Sequence, residues 1–330
     1  MRTRTFAVIV LLVAAAVIAS TLSIGNDYLF FAAYAVLSSV VLATAWNILG
    51  GYAGYVNFGT AGFYAIGVYT SVVLYKAIEA PLPVAIVCGG ALAGLVGMGT
   101  GWFTLRLKGV YFSIATLALT LMLHTLVTNW SYVGGTRGAY IIMSGEVPFG
   151  LGKYQHLIFA VMVFLAAGSI IVARYVETSM FGRGLAAVRD NEVAAECAGV
   201  PTQRLKLIAA GISGAMMGVA GAVQPFFLTF VEPSSVFSLV IAINAIAMSL
   251  IGGTRSWVGP LIGALLLGSM QQAATVTISS EANMLIVGVL LVLFVAVAPN
   301  GILGLLSDKL PGLRRKRLVS VQPERGLEQR

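Results

Sequence analysis

Long apolar runs are the feature that most constrains how this chain can fold. From residue 6 to residue 300, stretches of about 20 residues with almost no charge follow one another, and each is long enough for an α-helix that crosses a bilayer. The mean hydropathy is +0.94 and only 10% of the residues are charged, whereas soluble domains carry about 25%. A soluble core cannot hide this much apolar surface, so we predict an all-α polytopic membrane protein.

The links between the runs contain proline or polar residues and set the number of helices. We predict about ten transmembrane helices, within a range of roughly eight to eleven because two of the segments also suit a re-entrant conformation. The predicted helices cover 6–24, 28–48, 63–80, 83–105, 109–129, 156–173, 206–228, 236–252, 257–275 and 284–300. The first run also resembles a cleaved signal peptide, but its length favours a retained helix.

The lysines and arginines predict the orientation, because cytoplasmic loops carry an excess of both. With ten crossings, the N-terminus, the segment 174–205 and the C-terminus share the cytoplasmic side, and only Lys76, Arg137 and Lys153 of the 20 basic residues fall on the other. This divides the chain into a membrane domain, 1–305, and a basic cytoplasmic tail, 306–330. We expect the tail to be attracted to anionic membrane lipid and not to nucleic acid.

The chain lacks the motifs of catalysis and of energy conversion. It has no glycine-rich phosphate loop, no spaced row of acids within a span, and no cysteine and histidine pattern with metal-ligand spacing. His124 and His156 are interpreted as packed and interfacial residues, and Cys88 and Cys197 are too far apart in the predicted topology to pair. We therefore predict no enzyme, no catalytic residue, no metal site and no cofactor bound by this chain.

The segment 174–205 is the longest polar interruption of the apolar pattern. Gly182 and Gly184 predict a tight turn after the preceding span. Asp190 is a plausible N-cap for a short helix over 190–199, with Gly199 as its stop signal.

One side of this short helix carries small apolar side chains. Val193 and Cys197 lie four positions apart, as do Ala194 and Ala198, and residues at this spacing share a helix face. Small side chains let another surface approach closely, so contact with another protein is one interpretation. A helix folded back onto its own bundle is the other.

Four motifs in order carry a resemblance to a known family. The run Glu192-Val-Ala-Ala-Glu-Cys-Ala-Gly199 resembles the cytoplasmic loop of ABC importer permeases, and its surroundings are similar to the same loop of LivM-type branched-chain amino acid permeases. The other three motifs are also similar to that family: Trp46-Asn-Ile-Leu-Gly-Gly-Tyr-Ala-Gly-Tyr-Val-Asn-Phe-Gly59, Leu105-Arg-Leu-Lys-Gly-Val-Tyr-Phe-Ser-Ile-Ala-Thr-Leu-Ala118 and Ser249-Leu-Ile-Gly-Gly-Thr-Arg-Ser-Trp-Val-Gly-Pro-Leu-Ile-Gly-Ala264.

The resemblance implies a permease subunit of an ATP-driven importer in the bacterial inner membrane. It implies two ATP-binding subunits that hydrolyse ATP-Mg, a second related permease subunit and an extracytoplasmic substrate-binding protein as partners. The short helix would then be a coupling helix that fits a groove of the ATPase. The residues assigned to this coupling are Arg189, Glu192, Ala194, Ala195, Glu196 and Gly199.

Glycines at 50–62 interrupt what would otherwise be one span. Irregular backbone at membrane depth is tolerated where it is buried in protein or lines a water-filled cavity, so this stretch is a candidate translocation pathway. Close packing of small residues is the alternative, as for Gly90 with Gly94 and Gly214 with Gly218. The candidate pathway residues are Asn47, Gly51, Gly54, Tyr55, Asn57 and Gly59.

The expected cargo is a branched-chain or other hydrophobic amino acid. Urea, short-chain amides and aromatic acids are alternatives within the same importer class, and a self-sufficient channel or facilitator is an alternative of another class. The remaining polar residues of the spans are interpreted as helix–helix hydrogen-bonding groups: Gln224, Asn244, Gln271 and Gln272.

Overall fold

The structure is a computed structural model, and it describes residues 3–24, 27–104, 106–107, 109–141, 154–277, 288–289 and 301–302. Lys153, the basic tail and nearly all of the predicted helix 284–300 lie outside the described residues. The predictions that concern them therefore stay predictions.

The described chain is almost entirely helical, in agreement with the all-α prediction. Its helices are α1 (Thr3–Ile24), α2 (Asp27–Asn47), α3 (Thr60–Ile78), α4 (Leu82–Thr104), α5 (Val110–Thr128), α6 (Tyr154–Thr178), α7 (Met180–Asp190), α8 (Glu192–Cys197), α9 (Thr202–Leu228), α10 (Pro233–Val236), α11 (Leu239–Gly252) and α12 (Val258–Thr277). Two short strands, β1 (Ala139–Tyr140) and β2 (Phe230–Val231), pair in antiparallel fashion.

Seven helical stretches in the described part are long and apolar enough to cross a membrane. They are Tyr28–Tyr52, Thr60–Ile78, Leu82–Thr104, Val110–Thr128, Tyr154–Thr178, Thr202–Leu228 and Pro233–Gly252. Helix α1 contains a shorter apolar stretch, Thr5–Ala19, and α12 occupies the predicted segment 257–275. The prediction of about ten spans agrees with these seven and remains a prediction for the others.

Glycine and alanine bring the central helices into close contact. Helix α9 packs against α3 and α4, and a Cβ placed on Gly214 would lie 2.8 Å from the main-chain oxygen of Ala93 in α4. A Cβ on Gly218 would lie 2.7 Å from the oxygen of Gly89, and one on Gly94 would lie 3.2 Å from that of Gly211. Such spacing leaves no room for side chains, so these glycines serve helix packing, which confirms that interpretation of the two glycine pairs.

A polar pair also joins two helices within the bundle. The side-chain nitrogen of Gln271 on α12 donates to the side-chain oxygen of Asn244 on α11 over 3.2 Å. This bond confirms the interpretation of these two residues as helix–helix contacts. It satisfies polar groups where the bilayer offers no water.

Hydrogen bonds show which helix ends lie together. At one end, which we call the α8 end, the amide of Trp257 before α12 donates to Glu177 at the end of α6 over 2.7 Å. At the opposite end, Lys76 at the end of α3 donates to the main-chain oxygen of Tyr132 after α5 over 3.1 Å. Strands β1 and β2 connect to the same ends of α5 and α9, so we call this the β end.

The polar segment folds differently from its prediction. Gly182 and Gly184 do not form a turn but lie within α7, which begins at the N-cap Ser179. Ser179 accepts a hydrogen bond from the amide of Gly182, and this cap starts a helix where the glycines alone suggested a break. The bundle therefore carries two short consecutive helices, α7 and α8, at its α8 end.

Candidate functional site

Helix α8 is delimited by a cap and a glycine. Its N-cap is Asn191, whose side-chain oxygen accepts from the amide of Ala194 over 3.1 Å. The predicted cap, Asp190, is instead the last residue of α7, because the chain turns to extended backbone at Asn191. Gly199 ends the element with a φ of +83°, a conformation that favours glycine, and this agrees with its prediction as a stop signal.

Both acidic side chains of α8 face α9. One carboxylate oxygen of Glu192 lies 2.6 Å from the ammonium nitrogen of Lys206, and that lysine is buried, with 2% of its surface exposed. One carboxylate oxygen of Glu196 accepts from the hydroxyl of Thr202, also buried, over 2.6 Å. Residues four apart share a helix face, so the two acids attach one side of α8 to the first turn and a half of α9.

The small apolar side chains of α8 point outward. Val193 is 58% exposed, and Ala194, Cys197 and Ala198 are also exposed. Ala195 is buried, at 5%. We call the four exposed residues the outward face of α8.

The glycine-rich stretch is an irregular connection between α2 and α3. Helix α2 continues into a wider π-helical turn, Ile48–Tyr52, and the backbone from 53 to 59 then forms no regular helix before α3 begins. We call 53–59 the break. The break joins two stretches that are each long enough to cross a membrane, Tyr28–Tyr52 and Thr60–Ile78, and its role as a translocation pathway stays a prediction.

Neighbouring helices hold the break by its backbone. The indole nitrogen of Trp46 donates to the main-chain oxygen of Asn57 over 2.8 Å, in a buried position. From α5, Ser113 donates to the oxygen of Val56 over 2.8 Å, and the hydroxyl of Thr116 accepts from the amide of Phe58 over 3.1 Å. Backbone groups that a helix would pair internally are therefore satisfied by side chains.

The candidate coupling residues and the candidate pathway residues lie against each other. The phenol of Tyr55 donates to the second carboxylate oxygen of Glu192 over 2.8 Å. The guanidinium of Arg189 at the end of α7 donates to the main-chain oxygen of Gly51 over 3.2 Å. Gly54 has a φ of +80°, and a Cβ there would lie 2.8 Å from Cγ of Arg189. Two motifs that lie far apart in the sequence thus form one site.

The remaining candidate residues are internal. Asn47 and Asn57 are buried at 1% and 2% exposure, and the side-chain oxygen of Asn57 accepts from the amide of Gly59 over 2.7 Å. Asn57 therefore shapes the backbone of the break. Asn47 is the last residue of α2, and its side chain lies beside Gly51.

Burial and charge keep the phenol of Tyr55 protonated. The pKa of Tyr55 is held well above its ordinary value, first by burial, then by its hydrogen bond to Glu192 and the negative charges of Glu192 and Glu196. At neutral pH the phenol is protonated, as an ordinary tyrosine is, and the raised pKa extends that state to higher pH. Lys206 in turn donates to the oxygen of Tyr55 over 3.3 Å, and Tyr55, Glu192 and Lys206 form a closed triangle.

Sequence reasoning missed several residues of this site. Four residues that the sequence does not predict as part of the site make contacts that join separate elements: Trp46, Ser113, Thr202 and Lys206. Lys206 carried a usable signal, because a cation in the first turns of an otherwise apolar helix requires an anionic partner if it is buried. The sequence contains no comparable signal for the contacts of the Ser113 hydroxyl and the Trp46 indole with main-chain oxygens.

The described residues contain no group of three or more His, Cys, Asp or Glu side chains placed to hold a metal ion. The thiol of Cys88 is half-buried and that of Cys197 is exposed, and both are free.

A bundle of membrane-length helices with one polar element folded at its end defines a multi-pass membrane protein. The chain belongs to the family described as branched-chain amino acid transport system / permease component, which matches residues 28–295.

Relatives within this family transport different solutes, according to their names. The chain is 26% identical over 295 residues to the high-affinity branched-chain amino acid transport system permease protein LivM of Escherichia coli (strain K12), covering 82% of this chain and 69% of the relative. It is 26% identical over 285 residues to the LivH permease of the same organism, covering 80% and 90%. It is 27% identical over 193 residues to the L-arabinose ABC transporter permease protein AraH of Azospirillum brasilense, covering 57% and 55%. No solved structure matches the chain.

Proposed function

We propose that this chain is a transmembrane permease subunit of an ATP-driven ABC importer. It contributes no catalytic residue, and ATP-Mg is bound and hydrolysed by two partner ATP-binding subunits. A second related permease subunit completes the membrane channel, and an extracytoplasmic binding protein delivers the solute. Family membership supports this proposal, because named relatives are permease components of transport systems.

The observation that carries the proposal is the two-sided construction of α8. Its acidic side is attached to α9 through Lys206 and Thr202, so the element is fixed to the membrane bundle. Its outward face consists of small, exposed apolar side chains, which leave a shallow surface for another protein. A helix that only covered its own bundle would place these apolar groups inward.

The distribution of basic residues supports a cytoplasmic position for the α8 end. Among the described residues, Lys76 and Arg137 lie at the β end. The elements at the α8 end carry Arg106, Arg174, Arg183, Arg189, Arg204, Lys206 and Arg255. Cytoplasmic ends of membrane proteins carry the excess of lysine and arginine. We therefore place α8 in the cytoplasm and the protein in a bacterial inner membrane, surrounded by lipid.

For the cargo we propose a branched-chain or other hydrophobic amino acid. The names of the LivM and LivH relatives support this class, and both are matched over at least 80% of the chain. The arabinose permease is matched over a shorter part, 57%. Urea, short-chain amides and aromatic acids remain alternatives within the importer class.

Uptake into proteoliposomes tests the proposal. The chain is reconstituted with its partner permease, ATP-binding subunits and binding protein, and labelled leucine, isoleucine, valine, arabinose and urea are compared. We expect uptake of the amino acids that requires ATP and all partners. Solute flux through this chain without the ATP-binding subunits would favour a self-sufficient channel and contradict the proposal.

The native thiol of Cys197 reports directly on the outward face of α8. In a Cys88→Ser background, a maleimide should label Cys197 in the isolated permease, and bound ATP-binding subunits should protect it. The matched control is Ser235→Cys, at an exposed position of the β end, in a chain without Cys88 and Cys197. Its labelling should not change. Equal labelling of Cys197 with and without the ATP-binding subunits would rule out the proposed docking surface.

A further inference from the structure

The carboxylate of Glu192 is a junction between three separate parts of the chain. One of its oxygens binds the ammonium of Lys206 on α9 at 2.6 Å, and the other accepts from the phenol of Tyr55 in the break at 2.8 Å. The carboxylate itself belongs to α8. A single side chain thus uses each oxygen for a different element.

The setting of this junction makes it rigid. Lys206 is 2% exposed and Tyr55 is 8% exposed, and the ammonium also lies 5.2 Å from the centre of the Tyr55 ring. Hydrogen bonds to charged groups are stronger than neutral ones, and more so away from water. Loss of either charge removes part of the compensation of the opposite buried charge, so alternative arrangements of the three side chains are unfavourable.

The break extends the connection from α8 to α5. The ring of Tyr55 packs edge-on against Phe112 with the ring centres 5.2 Å apart, and Ser113 and Thr116 bind the backbone of the same segment. Helix α5 is also the least buried of the seven membrane-length stretches. Of its most apolar 18 residues, 22% are buried, compared with 67% for α9. A displacement at Tyr55 therefore reaches α5, which is the spanning helix that packs least against the rest of its own bundle.

We infer that Tyr55 and Lys206 are positioning residues for coupling: through Glu192 they join α8 to the break and α9, so that a displacement of α8 is passed to the break and to α5. This inference rests on the proposed docking of an ATP-binding subunit on α8. Lys206 anchors Glu192 to α9, which is the most buried spanning helix. Tyr55 transmits the displacement of Glu192 to the break. Contiguous packed and hydrogen-bonded groups of this kind carry coupling between distant sites.

The test compares the number of solute molecules moved per ATP hydrolysed by the complete importer in proteoliposomes. Tyr55→Phe removes one hydroxyl and leaves the ring. The double variant Glu192→Gln with Lys206→Met removes both charges together, so that no buried charge is left alone. The matched control is Tyr52→Phe, a nearby buried tyrosine whose hydroxyl lies 3.4 Å from the main-chain oxygen of Ala173 on α6 and not against α8.

We expect the ratio of transport to hydrolysis to fall about fivefold or more in Tyr55→Phe and in the double variant, the lower range of allosteric coupling effects, and to stay unchanged in Tyr52→Phe. A purely structural role would lower the amount of assembled complex but leave the ratio for each complex unchanged, and that result would overturn the inference. If the wild-type importer shows no ATP-dependent uptake, the proposed function and this inference both fail. If the wild type imports and the variants keep its ratio, only the inference fails.

Discussion

Arg189 and Gly51 are separated by 138 positions in the chain, yet the guanidinium of Arg189 donates to the main-chain oxygen of Gly51 over 3.2 Å. The first residue belongs to the end of α7 and the second to the turn that follows α2. Their contact brings the polar segment and the glycine-rich break into one site.

The position of Gly54 should tolerate no side chain. Its φ is +80°, and a Cβ there would lie 2.8 Å from Cγ of Arg189. Strained backbone of this kind costs about 1–3 kcal/mol, so Gly54→Ala should lower the melting temperature of the purified permease and reduce uptake. Gly168→Ala is the matched control, because it lies within α6 with nothing within 4 Å of the added carbon.

The two sources of cost at Gly54 can be separated. Arg189→Ala removes the collision but also the hydrogen bond to Gly51, so it serves as the reference background. Gly54→Ala should lower the melting temperature less in that background than in the wild type, because only the positive φ remains. No further loss in that background would show that the backbone conformation carries no cost, and an equal loss in both would show that the collision carries none.

The indole of Trp46 should stabilise the break. Its nitrogen donates to the main-chain oxygen of Asn57 over 2.8 Å, and the side chain is 2% exposed. Trp46→Phe leaves that buried oxygen without its donor, which should lower the free energy of unfolding by about 1–3 kcal/mol. Thermal unfolding in detergent measures the effect, with Trp130→Phe at a 42% exposed position as control. Equal effects of the two substitutions would contradict this role.

Adjacent alanines of α8 should respond differently to a bulky side chain. Ala194 belongs to the outward face, whereas Ala195 is buried at 5% exposure. Ala194→Trp should leave thermal stability near that of the wild type and abolish co-purification of the ATP-binding subunits. Ala195→Trp should lower stability itself, because overpacking costs about 1–3 kcal/mol. Binding of the ATP-binding subunits to Ala194→Trp at wild-type level would contradict the outward face as the docking surface.

The orientation of the bundle predicts a labelling pattern in membranes. With the α8 end in the cytoplasm and the permease produced without its ATP-binding subunits, a membrane-impermeant maleimide should label Cys197 in inside-out vesicles and not in intact spheroplasts, in a Cys88→Ser background. Ser235→Cys at the β end should give the opposite result in a chain without native cysteines. Labelling of Cys197 in intact spheroplasts would place the α8 end outside.

Local patterns predict most elements of the site but not α7. Apolar length located α2, α3, α5 and α9 to within a few residues, and Gly199 correctly marked the end of α8. The start of α8 was misplaced by one residue, because Asp190 and Asn191 are both good caps and only the turn in the backbone distinguishes them. The turn predicted at Gly182 and Gly184 is wrong, because the Ser179 cap favours a helix at that point.

The sequence by itself determined that this chain is a helical membrane protein with a glycine-rich interruption and one polar element between spans. These properties depend on composition and on spacing along the chain, and each is local. The tertiary structure alone decided that the interruption lies against the polar element, and that Lys206 and Tyr55 share the carboxylate of Glu192. Contacts over such separations depend on how the helices cross. That crossing is set by the close approach of glycines in α4 and α9. The spacing of these glycines predicts close packing but not which helices meet.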